Sequence, residues 1–275
     1  MKVNEFKKQL QDLVTHGLIA DIFKMERSYM LLKNIGTNAH VINAPSAGNF
    51  GELFGSIQVA LQTDIILAVT RLYDPPDKKY PTRCIRRLLY LIEENRNKLP
   101  SIIEKYNLKK ELQRIGMDEN AISLVDTDEP AFALELVKYF LNILDHPLTI
   151  NTLQKLKVIR DKSIAHNEQC TEIQGPAWLE LERLIQHAKE FAGILRWAYF
   201  STVYMHDGNY ILTSDAERPS RALNRLLRQI IPMEKAPDLF LGAKNMDSGK
   251  SVGWAAPTAN LRHKTLDYWN IIAYA

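Results

Sequence analysis

Only Cys84 and Cys170 occur among 275 residues. They stand in unrelated contexts, which excludes a disulfide framework. No CxxC or Cys/His ligand spacing is present, and His16, His40, His146, His206 and His263 are scattered along the chain. No metal site and no cofactor is therefore expected. The opening stretch, MKVNEFKKQLQDLVTHGLIADIF, carries scattered charges and lacks the apolar centre of a signal peptide. Gln62, Thr63, Asp64 and Arg71 interrupt the most apolar run, IQVALQTDIILAVTRLY (57–73). That run reads as a buried helix and not as a membrane span, so a cytoplasmic protein without membrane contact is expected. Strand-type alternation is nearly absent, and no internal repeat or low-complexity tract is visible. The net charge is also small, +3 with a pI near 8.7, which permits an anionic partner without demanding one.

What is present is helical periodicity. The pattern predicts helices over roughly 3–33, 50–73, 82–97, 100–114, 130–145, 148–166, 176–206 and 217–231. The sequence DPPDKKYP (74–81) must end the second of these, because Pro75 and Pro76 cannot continue a helix. Thr82 is placed to cap the next one. Asp145-His146-Pro147 separates two more, and Pro176 fits a first helical turn. GTNAHVINAPSAGNFGELFG (36–55) reads as a long loop, a candidate cover for a site. From Met233 onward the chain is rich in Gly, Pro, Ala and Asn, and reads as an irregular tail anchored by Phe240, Trp254, Tyr268 and Trp269. The fold class is all-α: a multi-helix bundle over 1–207, then a C-terminal helix and irregular extension over 208–275.

Within the 148–166 stretch, VIRDKSIAHNE (158–168) puts Arg160 and His166 where the surrounding pattern asks for core. In an unbroken α-helix, residues six apart are rotated by about 120° and separated by about 9 Å along the axis. To meet on one ligand these two need a break in the helix, or a second copy of the segment across a two-fold axis. Histidine titrates near neutrality and can transfer protons, whereas arginine offers a permanently charged fork for phosphate oxygens.

RDKSIAH (160–166) resembles the signature of the HEPN superfamily, in which an arginine and a following polar residue precede a histidine on the last core helices of a four-helix, up-down bundle. The closest likeness is to the branch associated with the abortive-infection protein AbiU, where a helix ending in a motif such as TRLYDPP (70–76) precedes an RDKxxAH segment. The resemblance spans about 1–207 as an architecture. It implies a metal-independent endoribonuclease, active as a homodimer with its site at the two-fold, of the kind that serves as a toxin or phage-defence effector and is restrained by an antitoxin or regulator protein. Arg160 and His166 correspond to the family's arginine and histidine. Asp161 would orient one of them, and Ser163 would add a hydroxyl to the phosphate. Attack by the 2′-hydroxyl of RNA would leave a 2′,3′-cyclic phosphate and a 5′-hydroxyl. A related branch that modifies nucleotides carries tyrosines beside its arginine motif; Ala165 and Asn167 stand here instead, which disfavours nucleotidyl transfer.

Two further features bear on RNA. Asp64, Arg71 and Asp74 lie on the otherwise apolar 57–74 helix, and buried charges must pair or face a cleft. An ion pair between Arg71 and Asp74 closing the helix end is one expectation, and Arg71 as a second phosphate contact beside Arg160 is the other. In ERPSRALNRLLRQII (217–231), Arg218, Arg221, Arg225 and Arg228 form a stripe opposite Leu223, Leu226, Leu227, Ile230 and Ile231. Such a stripe either tracks a nucleic-acid backbone or is the solvated face of an amphipathic helix. GAKNMDSGKS (242–251) fails as a P-loop, because its spacing is too long and no strand precedes it. Beside the nuclease stands an alternative: a non-catalytic helical module that binds RNA or a nucleotide, or a helical scaffold in which the motif is a coincidence.

Overall fold

The computed structural model describes residues 3–44, 50–77, 79, 82–165, 175–200, 204–210 and 213–230, and only the backbone of Val3, Ser163, Ala165 and Ile230. His166, the 233–275 tail and its aromatic anchors lie outside the described residues. Those that are described are overwhelmingly helical.

The N-terminal helix runs as one rod made of α1 (Val3–Asp12), a π-helical segment (Leu13–Ile19) and α2 (Ala20–Thr37). After the short α3 (Ala39–Ile42) comes α4 (Gly51–Tyr73). Asp21 pairs with Arg71, and seven residues later in α2 Ser28 pairs with Asp64, seven residues earlier in α4. Those two crosslinks fix α2 and α4 as antiparallel neighbours. Next are α5 (Ile85–Glu94), α6 (Lys105–Arg114), α7 (Glu119–Thr127), α8 (Glu129–Leu144), α9 (Pro147–Ile159) and α10 (Trp178–Tyr199). Helices α2, α4, α9 and α10 pack in a ring, α2 on α4, α4 on α9, α9 on α10 and α10 back on α2. Helices α5 to α8 pack largely on one another, with α6 leaning on α10.

One apolar core joins the ring to these flanking helices. Phe6, Ile22, Met25, Ile65, Leu72, Leu88, Phe132 and Phe191 are all fully buried in it. Each such side chain contributes about 1.5–3 kcal/mol on burial. A smaller cluster of Ile35, Ile42, Phe54, Leu223 and Leu227 ties α12 (Arg218–Ile230) to the far end of α2 and α4. The chain reaches α12 through a two-residue hairpin, β1 (Met205–His206) and β2 (Asn209–Tyr210), and the short α11 (Thr213–Ala216).

Several local expectations need correction. Thr82 caps nothing: α5 begins at Ile85 after Cys84, and the Thr82 hydroxyl is buried without a partner. Pro176 precedes α10, which starts at Trp178. The stretch 36–55 is largely helical where described, because Ile35, Ile42 and Phe54 have an apolar cluster to join. Its Phe54 end lies at the opposite end of α4 from Asp74, roughly 30 Å away at 1.5 Å per residue, so it does not cover the Arg160 region. The apolar run 57–73 is buried only in its second half: Ile65, Ile66, Val69 and Leu72 are inside, whereas Val59 is exposed. Among the described residues α4 is the one helix long and apolar enough to cross a membrane by length and composition. Leu226 faces solvent, unlike Leu223 and Leu227.

Candidate functional site

Arg160 closes α9 and opens a π-helical turn, Arg160–Ala165. The neighbouring apolar residues account for the change of winding. Ile159 is buried, and Ile164, five residues on, also packs against the core. An α-helix would set residues five apart about 140° around the axis, whereas the i→i+5 ladder of a π-turn stacks them. The wider turn lets both isoleucines face the core and carries Arg160 to the rim, where its side chain keeps 22 % of its exposure.

At that rim the guanidinium is held from two sides. Nη1 donates to Asp74 Oδ2 at 2.6 Å, and Nε donates to Asp161 Oδ1 at 2.8 Å. Nη2 has no partner among the described residues and is left to donate to an incoming oxygen. Partial burial acts to lower the arginine's pKa, but the bonds to Asp161 and Asp74 outweigh it and hold the group above its ordinary value. The positive charge is permanent.

Asp74 is the residue that sequence reasoning did not assign to this site. Arg71 and Asp74 do not pair with each other, contrary to the helix-closing expectation. Arg71 instead grips Asp21 across α2, Nη2 to Oδ1 at 2.6 Å with Nε at 3.1 Å, and that bond raises its pKa. Asp74 is free to reach Arg160 because Pro75 follows it. A residue before proline is pushed out of helical conformation, and Asp74 sits at φ −56°, ψ 144°, with its N–H still bonded to the Thr70 carbonyl at 2.7 Å. The preceding Tyr73 fixes this helix end from within, its hydroxyl donating to the Leu184 carbonyl of α10 at 2.6 Å.

The two segments that carried the resemblance, 70–76 and 160–166, therefore meet through an Asp74–Arg160 ion pair. The family model for AbiU2, an abortive-infection HEPN family, matches residues 7–223. The chain belongs to the AbiU2 HEPN family. The AbiU2 match runs beyond the 1–207 that the motifs suggested, through the hairpin and into α12 as far as Leu223. No curated protein and no solved structure matches the chain.

The other site candidates fall in three places. Asp161 sits beside Arg160 and bonds to it, and Ser163 lies in the same π-turn. Arg71 is on the last turn of α4, bonded to Asp21. The arginine stripe lies on α12, which packs on α2 next to the far end of α4. There Arg218 pairs with Asp215 at 2.7 Å and Arg221 with Glu217 at 3.0 Å. Arg225 and Arg228 are exposed. The stripe is thus partly neutralised by acids of its own turn.

Proposed function

We propose that this AbiU2-family protein is a metal-independent endoribonuclease acting in phage defence. One observation carries the reading: an arginine with a permanent charge stands at the rim of the bundle, its Nε and Nη1 bonded to carboxylates and its Nη2 without a partner among the described residues, six residues ahead of His166. Arg160 binds a non-bridging oxygen of the scissile phosphate and stabilises the charge that grows on it. His166 takes the proton of the 2′-hydroxyl, the 2′-oxygen bonds to phosphorus, and the bond to the 5′-oxygen breaks. A second imidazolium, the same histidine from another copy, delivers a proton to the leaving oxygen. Two copies sharing one groove is the arrangement this chemistry asks for. Ser163 adds a hydroxyl to the phosphate. Arg71 and the α12 arginines Arg218, Arg221, Arg225 and Arg228 extend the contact with RNA, and an antitoxin or regulator protein restrains the activity.

The test is incubation of the purified protein with total RNA in excess EDTA, beside His166→Ala. The expected products are 2′,3′-cyclic phosphate ends made by the wild type alone. Cleavage that needs added magnesium contradicts the reading. A second reading, RNA binding without cleavage, draws support from the two carboxylates around Arg160. Retention of intact RNA by both proteins is the outcome that selects it.

A further inference from the structure

The TRLYDPP segment does more than stop α4. Asp74 lies 86 residues before Arg160, yet three separate features aim its carboxylate at that guanidinium. Tyr73 anchors the helix end to α10, the Thr70 carbonyl holds the Asp74 N–H, and Pro75 confines the backbone of Asp74 to the extended conformation it adopts. Asp161 alone would leave the arginine free to swing, because both groups sit on adjacent residues of one turn. An acceptor on a different helix removes that freedom.

We propose that Asp74 is a positioning residue for Arg160 and that Pro75 sets its aim. With Nη1 tied to α4 and Nε to the π-turn, the plane of the guanidinium is fixed from two elements, and Nη2 is directed at one place. This rests on the reading of Arg160 as the phosphate-binding group. Asp74 itself touches no substrate. Its contribution is that the arginine meets the phosphate already oriented, and misplacement of such a group by about 1 Å costs on the order of 100-fold in rate.

The experiment is a double-mutant cycle on RNA cleavage with Asp74→Ala, Arg160→Ala and the pair, together with Asp74→Asn and Pro75→Ala. Asp74→Ala is expected to lower kcat about 10–100-fold with a smaller change in KM. In the Arg160→Ala background the same change should have no further effect. Asp74→Asn, which keeps an acceptor for Nη1, should restore most of the loss. Pro75→Ala removes no charge and should still lower kcat several-fold. Losses that multiply in the double variant, or a Pro75→Ala protein as fast as wild type, overturn the role of Asp74 while leaving the nuclease reading intact. A wild type that binds RNA without cutting overturns the nuclease reading instead. The same cycle read on Kd then decides Asp74: coupling supports it and additivity removes it. A wild type that does neither sinks both.

Discussion

Arg160→Ala should cost stability as well as activity, and the structure bounds how much. The substitution removes two charged hydrogen bonds, to Asp74 at 2.6 Å and to Asp161 at 2.8 Å. It also removes the packing of the arginine stem. The carboxylates left behind keep 31 % and 43 % of their exposure, so water can take over and no large penalty for an unsatisfied charge arises. Exposed pairs are each worth about 0.2–1 kcal/mol, and partial burial places this doubly bonded arginine at about 1–2 kcal/mol in total. At about 2–4 °C per kcal/mol for chains of about this size, Tm should fall by roughly 2–8 °C. That is more than expected of a side chain that merely points into a groove. Thermal unfolding by circular dichroism gives the number, and cleavage assayed on the same preparation should fall by orders of magnitude. A stability loss of about 4 kcal/mol or more with activity retained would make Arg160 a structural residue, because that is the signature of a buried ion pair that holds the fold together. No loss at all would mean that the two bonds do not persist in solution.

Other substitutions probe the scaffold and the surface. A Cβ added at Gly193 would lie 2.6 Å from the Cβ of Met205, so Gly193→Ala must push the hairpin away from α10 and should cost about 1–3 kcal/mol in a urea melt. His187 has its pKa lowered by burial, with Arg183 and His146 adding to this and Glu190 opposing, and its Nδ1 is buried without a partner. The unfolded chain therefore binds more protons once pH falls below the ordinary imidazole value. Stability should drop as pH falls through that value and the lower folded one, and His187→Gln should flatten part of the slope on the acid side of the ordinary imidazole value. Changing Arg221 and Arg225 of α12 to Ala should weaken RNA binding and flatten its salt dependence. An unchanged slope assigns that face to solvent and removes the α12 arginines from the RNA contact.

How much of this was legible in the sequence differs by element. The long periodic helices and their proline stops were readable because burial of one helix face writes itself as a 3.6-residue repeat. The π-turn at Arg160–Ala165 was not, since its cause is a pair of isoleucines five apart that an α-helical template scores as a mismatch. Helix α7 was missed although Asp118 advertises it: its carboxylate accepts the Asn120 N–H at 2.9 Å. The hairpin hid inside an expected helix end. Its signal was Asp207-Gly208, both at positive φ, 48° and 77°, as a two-residue turn of this kind requires. Within the candidate site, Arg160 was visible as a charge in an apolar pattern. Its partner was not, because local spacing offered Arg71 to Asp74 and only the folded chain supplies Asp21 and Arg160 as the better partners.

On the proposed mechanism, RNA is cut by its own 2′-hydroxyl at the Arg160–His166 motif. The most direct test is a single 2′-deoxy substitution at the scissile nucleotide of a cleaved oligonucleotide, assayed in EDTA. Cleavage at that position should stop while neighbouring sites and binding are unaffected, because the attacking group alone is gone. Cleavage that continues at the deoxy position would contradict the mechanism.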